Sequence, residues 1–304
     1  MSIHVSDYRK CVELSERVAW RVEDVVPPGS VLDFTRAFMP SAMFFGHTLD
    51  CLNDHERLRL NQIFGNGYRY LFYFVEAYII DMAMRHATAE LYGDENTLRA
   101  LLRFAEEEVK HQQLFLRFGE MFDAQFGTPC DLVDSPQAVA AIILSRVPMA
   151  VVLVTLHLEI ITQQHFVDAM RDDRSMEPLF ASLFRHHWME ESQHAKLDAL
   201  ELIKLRSEAD AAMVTKAVDD YFAIAGAFAG LLANQARLDV NSLERAVQRT
   251  FTASERAEIE AAQRRAYNRA FLYDGVTNKQ FLEFLTEYFP EALERAAEAA
   301  RVFA

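Results

Sequence analysis

Cysteine is scarce in this 304-residue chain, and its three copies, Cys11, Cys51 and Cys130, are far apart and form no C-x-x-C pair. Neither a disulfide framework nor a thiolate metal site finds support, and a reducing cytoplasm is the simplest expected setting. Glycine and proline number only 10 and 8, too few for the frequent turns of an all-β chain, so long helices are expected. Positive charge is in deficit. Lys and Arg total 31 against 45 Asp and Glu, a net charge of −14, and the basic residues are scattered, which argues against nucleic acid or an anionic membrane surface as a partner. The N-terminus lacks a basic region followed by an apolar one, so no signal peptide is expected. Long apolar runs are also wanting: Ala138 to Leu158 is interrupted by Arg146, Pro148 and His157, and Phe222 to Ala233 is twelve residues long. Both read as buried helices of a soluble protein rather than membrane spans.

What is abundant is Phe, at 23 copies, with 11 Met. Such side chains fill wide gaps between helices and can also line an apolar pocket. The length suits one all-helical domain over 1–304, with a four-helix core at about 68–204 and a helical extension at about 207–304.

Along the chain, Asp7 to Val26 has apolar residues at helical spacing and stops at Pro27-Pro28-Gly29, as a covering helix would. Val31 to Asp50 reads as short or irregular segments. A helix begins near Asp54, and after Gly65 and Gly67 a strongly apolar one runs from about Tyr68 to Tyr92. The next runs from about Leu98 to Phe126, capped by Asn96 or Thr97. Gly127 to Pro136 is expected to cross from one end of a bundle to the other. A third helix, Pro136 to Arg171, should kink at Pro148, and a fourth spans about Leu179 to Lys204. Beyond it, helices are expected over Ser207 to Ala236, then after a start at Thr252 or Ser254 over Glu255 to Tyr273, Asn278 to Tyr288 and Pro290 to Val302.

The chemistry lies in a repeated pattern. Glu108-x-x-His111 and Glu191-x-x-His194 each place a carboxylate and an imidazole one turn apart on a helix face, and each is preceded by a Glu in an apolar run, Glu76 and Glu159, at the same distance of 32 residues. The offset between the two copies is 83 residues throughout. One Glu-x-x-His alone is a common coincidence, and a Glu in an apolar run can pair with a buried Arg instead. Two copies plus two core Glu, in this order, form the pattern of di-iron and di-manganese carboxylate bundles, a hard oxygen and nitrogen donor set suited to iron or manganese. Glu107 and Glu190 each lie four residues before a histidine of the pattern. They either accept the second N–H of an imidazole from the other motif or stand in solvent, as Glu106 is expected to. His187, four residues before Glu191, shares its helix face and is a candidate third imidazole, with a pocket or surface histidine as the alternative; His186 points about 100° away.

Over roughly residues 68 to 204 the sequence resembles the ferritin-like di-iron carboxylate superfamily. The His in H-x-x-x-E-x-x-H, here His187, Glu191 and His194, is similar to the additional ligand of the p-aminobenzoate N-oxygenase family. Other branches fit less well: a radical-forming ribonucleotide reductase subunit would place a Tyr where this chain has Phe115, rubrerythrins carry a cysteine-rich domain, and bacterial multicomponent monooxygenases place a Thr where this chain has Gln163. The resemblance implies an all-α, ferritin-like four-helix bundle with added N- and C-terminal helices, holding two Fe ions or Mn. It implies a non-haem di-iron oxidoreductase with O2 as co-substrate, an external electron donor and a small-molecule substrate, an amine in the first instance. Desaturation or C–C cleavage of an acyl chain, and iron handling or peroxide scavenging, are the alternatives. No catalytic residue beyond the metal ligands is expected. A homodimer is expected from the apolar helix faces.

Overall fold

The computed structural model describes residues 5–133 and 136–304. Among the described residues the chain is all-α, with one isolated bridge between Ala37 and Met176 in place of any strand. The helices are α1 (Val5–Ser15), α2 (Val22–Val25), α3 (Asp54–Ala89), α4 (Glu95–Phe126), α5 (Pro136–Leu144), α6 (Pro148–His165), α7 (Pro178–Glu208), α8 (Ala211–Val247), α9 (Ala253–Asn268), α10 (Asp274–Val276), α11 (Lys279–Tyr288) and α12 (Leu293–Phe303). Two π-turns, Phe166–Met170 and Arg269–Tyr273, follow α6 and join α9 to α10.

The bundle is built from two helix pairs. α3 packs along α4 and α6 along α7, and the pairs meet where α4 faces α7 and α3 faces α6. Local sequence fixes where each long helix starts. Asn53 and Glu56 form a reciprocal capping box at α3, the Asp94 carboxylate accepts from Thr97 N at α4, and the Glu177 carboxylate accepts from Phe180 N at α7, with Pro178 in the first turn. Each removes an otherwise unmet backbone donor. The Phe-rich composition goes mainly into the core, where Phe38, Phe64, Phe115, Phe118, Phe122 and Phe180 are fully enclosed. α8 packs across α3 and α6, and α1 lies over α4 and α7. The run Pro148–Met170 is long and apolar enough to cross a membrane, yet 78% of its most apolar window is buried inside the protein, the environment of a core helix.

Several expected boundaries move. The N-terminal helix splits, since the chain turns after Ser15 and is irregular through Arg21. Gly65 and Gly67 do not separate two helices; α3 runs through both because each admits a neighbour. A Cβ on Gly65 would stand 2.7 Å from Phe38 Cβ, and one on Gly67 would overlap the Tyr267 hydroxyl. Asp94, rather than Asn96 or Thr97, caps α4. Pro148 opens α6 at its first turn instead of kinking a continuous helix, and α5 ends at Leu144. α8 continues past Ala236 to Val247 without a break. Of the expected crossover at Gly127 to Pro136, Asp134 and Ser135 lie outside the described residues.

Candidate metal centre

Glu76 comes from α3, Glu108 and His111 from α4, Glu159 from α6, and His187, Glu191 and His194 from α7; all seven side chains are buried, none more than 3% exposed. The two Glu-x-x-His motifs face each other across the α4–α7 contact and exchange partners. His194 Nδ1 lies 2.9 Å from Glu108 Oε1 and 3.5 Å from Glu191 Oε2. His111 Nδ1 lies 3.3 Å from Glu191 Oε1 and 3.8 Å from Glu108 Oε2. Each carboxylate therefore offers one oxygen to each imidazole, the disposition of two bridging groups between two cation positions. On one side His187 Nε2 sits 3.0 Å from Glu76 Oε1 and 2.8 Å from Glu191 Oε1. On the other, Glu159 Oε2 is 4.0 Å from His194 Nδ1. Two donor clusters result, one of Glu108, His111, Glu191 and His194 and one of Glu76, His111 and His187; Glu159 flanks the first without joining it.

Apart from the hydrogen bond between His187 Nε2 and Glu76 Oε1, the atoms of the cluster are left largely unpaired. Glu76 Oε2, both oxygens of Glu108, Glu159 Oε2, Glu191 Oε1 and Nδ1 of His111, His187 and His194 make no hydrogen bond although they are buried. Buried polar groups are normally paired, because each unmet one costs about 1–3 kcal/mol. These orphans, His187 Nδ1 excepted because that ring turns Nε2 to the cluster, mark a space shaped for a ligand rather than a failed network. Hard oxygen and nitrogen donors with no sulfur fit divalent iron or manganese. The alternative for a core Glu, pairing with a buried Arg, is absent among the described residues: buried Arg69 on α3 donates to Phe115 O and Asn66 Oδ1.

The electrostatics agree. Burial, then the nearby Glu108, pushes Glu76 well above the usual carboxylate range, and burial also raises Glu191. Burial would raise Glu108 too, but the two imidazoles hold it down at about 2. Burial opposes charging His111 and His194, yet the surrounding carboxylates outweigh it and raise both well above the ordinary histidine value. His187 is driven well below that value by burial, with His111 and His194 adding to it. Without a cation the cluster must store protons to remain buried; a pair of divalent cations would replace them.

Behind the two motif histidines stand the carboxylates next in sequence to the motif glutamates. His111 Nε2 donates to Glu190 Oε2 at 2.9 Å and His194 Nε2 donates to Glu107 Oε2 at 2.9 Å. With a proton held on Nε2, Nδ1 is the nitrogen left to face the centre and to take a cation in place of its own proton. Glu107 also accepts from Ser15 Oγ at 2.6 Å and from Gln193 Nε2 at 2.8 Å, and Glu190 pairs with Lys110. Glu106 is exposed, and His186 bonds to Ser182 O one turn back on α7. His187 has no such backing; its ring is held by Phe72 at 5.3 Å and Phe115 at 4.9 Å between centroids.

Sequence reading did not find Ser15, Gln193, Lys110 or Trp20, whose ring lies parallel to His111 at 5.9 Å with Lys110 Nζ over its face. Gln193 and Lys110 adjoin the motif histidines in sequence, a signal available but mute about direction. Ser15 and Trp20 reach α4 only through the fold. No known family profile and no curated protein matches the sequence, so the assignment of the centre stands on its geometry.

Proposed function

We propose that the protein is a di-iron, O2-dependent oxidoreductase acting on a small organic substrate, with oxidation of an amine nitrogen as the preferred outcome. The observation that carries the preference is His187, a third imidazole brought beside Glu76 and His111; the resemblance to the p-aminobenzoate N-oxygenase family rests on that residue. In this reading Glu108, His111, Glu191 and His194, together with Glu76 and His187, would hold the ions, with Glu159 beside them. The bound pair supplies two electrons to O2. The chain's own residues do the rest. Glu107 and Glu190 orient the imidazoles from behind, and Phe72, Phe115 and Phe184 wall the His187 side with apolar surface that keeps water out. An external electron donor, a cytoplasmic location, a homodimer and a single-domain organisation belong to the same proposal.

The test is turnover. Iron-loaded protein, a reductant and O2 are offered arylamines and acyl chains in parallel, and products are identified by mass. Oxygenated nitrogen from the amine is the expected product. Conversion of the acyl chain alone would replace the amine reading, and O2 consumption that leaves both substrates intact would favour peroxide or iron handling.

A further inference from the structure

α3 carries another polar arrangement two turns before Glu76. Tyr68, Phe72 and Glu76 are spaced by four and share one helix face, which puts Tyr68 about 12 Å along the axis from Glu76 at 1.5 Å per residue. Tyr68 is 1% exposed, and its hydroxyl donates to His165 Nδ1 at 2.7 Å. That bond leaves the His165 proton on Nε2, which faces Asp274 Oδ2 at 3.2 Å. Asp274 lies 3.6 Å from Arg269 at a surface depression of about 170 Å³ that Gln164 and Asp168 also line. The two π-turns abut this chain: Phe166–Met170 begins directly after His165, and Arg269–Tyr273 ends directly before Asp274. Such turns occur often at functional sites, since the extra residue re-aims the side chains beside it.

On its inner side Tyr68 meets the centre through aromatic contacts. Its ring is 5.0 Å from Phe72, and Phe72 is 5.3 Å from His187, whose Nε2 is 3.0 Å from Glu76. Burial holds the phenol far above its ordinary range, so at rest it keeps its proton. The polar chain thus links solvent to a ring that reaches the proposed ligand His187 through Phe72.

We propose that Tyr68 is a redox-active residue: when the metal pair has been oxidised by O2 and no substrate is bound, Tyr68 gives it one electron and passes the phenolic proton to His165. The proposal rests on the di-metal reading above. The phenolic O–H bond breaks and an N–H bond forms at His165 Nδ1; the products are a neutral phenoxyl radical, an imidazolium beside Asp274 and a metal pair reduced by one electron. A one-electron reductant in solution returns the electron at the depression, and the proton goes back from His165. The oxidising equivalent is thereby drained to the surface instead of attacking the aromatic walls. Trp20 is the competing donor, since it stacks on His111. Its buried Nε1 has no hydrogen-bond partner and so no base to take its proton on oxidation, whereas Tyr68 has one in place.

The experiment mixes reduced, iron-loaded protein with O2 in the absence of substrate, freezes it at intervals and records electron paramagnetic resonance. A neutral tyrosyl signal is expected, lost in Tyr68→Phe at equal iron content. The same signal in Tyr68→Phe, a tryptophan cation radical alone, or no radical in iron-replete protein would overturn the proposal. Should the protein bind less than one iron per chain, the di-metal reading fails by itself. Flash oxidation of the metal-free protein with a ruthenium tris-bipyridine complex then decides the role of Tyr68 separately. A tyrosyl yield lower in Tyr68→Phe, and slower formation in His165→Gln, are expected; equal yields and rates would overturn it.

Discussion

Glu107 and Glu190 show how much depends on single oxygens. Each carries one oxygen on the Nε2–H of a histidine supplied by the opposite helix, and that bond decides which ring nitrogen faces the centre. Removing it frees the tautomer and the ring. Glu190→Ala is therefore expected to weaken metal binding by about 10–100-fold, read as the affinity for Co(II) by optical titration; unchanged affinity would reduce Glu190 to a partner of Lys110. His187 is held by aromatic rings and has no carboxylate behind it, so it contributes to one position only. His187→Ala is expected to weaken one phase of the same Co(II) titration and leave the other, and two unaltered phases would remove it from the ligand set. At this scale the sequence was legible where helix spacing governs. Glu108 with His111, and Glu191 with His194, share faces by i,i+3 geometry wherever their helices lie. The pairing of Glu107 with His194 was legible as a choice between two roles. Ser15 and Trp20 were not legible, because nothing local to α4 says which part of the chain lies over it.

At the scale of elements, α3 is continuous because its glycines receive neighbours. Gly67 sits under the Tyr267 hydroxyl, which donates to Asp239 on α8 at 2.9 Å. Gly67→Ala is expected to cost about 1–3 kcal/mol of stability by overpacking, read by urea unfolding. Much of that should be recovered in combination with Tyr267→Phe, since the two changes meet at one atom; simple additivity would contradict the contact. A glycine in a sequence reads equally as a break or a close approach, and only the packed partner distinguishes them. Pro148 posed a similar ambiguity, as a kink or a first turn, settled by the end of α5 at Leu144, four residues earlier.

The same network has a pH signature. Burial pushes Asp239 up to about 7 despite hydrogen bonds from Gln235, Gln263 and Tyr267. The unfolded chain releases that proton near its ordinary value of about 3.9. Between about pH 4 and 7 the folded state therefore holds the extra proton, and stability falls as pH rises through that window by about 1.4 kcal/mol per unit, levelling above it. Urea unfolding at pH 5 and pH 8 should show a larger fall for the native chain than for Asp239→Asn, by about 3 kcal/mol; equal falls would mean that Asp239 is ionised throughout. The pH dependence of the rest of the chain cancels in the comparison.

Over the whole molecule, four helices each present a carboxylate to one buried space, which protons must neutralise where no cation does. The bundle is closed around that space by α1, through Tyr8 to Glu201 and Ser15 to Glu107, and by α8 across α3 and α6. The all-helical class was legible from composition and from the two half-sites at matched offsets, because burying four Glu and two His in order requires four helices in register. How the C-terminal helices cover the bundle was not legible, since their apolar faces are generic. Because the native fold should bind metal and the unfolded chain should not, metal at about 100 times its dissociation constant adds about 2.7 kcal/mol of stability per site. The most direct measurement is therefore metal content and thermal unfolding after anaerobic Fe(II) loading and desalting. About two iron ions per chain, as in the carboxylate bundles, are expected, with a raised unfolding temperature and loss of both in Glu108→Ala and Glu191→Ala; fewer than one ion per chain with an unshifted unfolding temperature would contradict the di-metal centre.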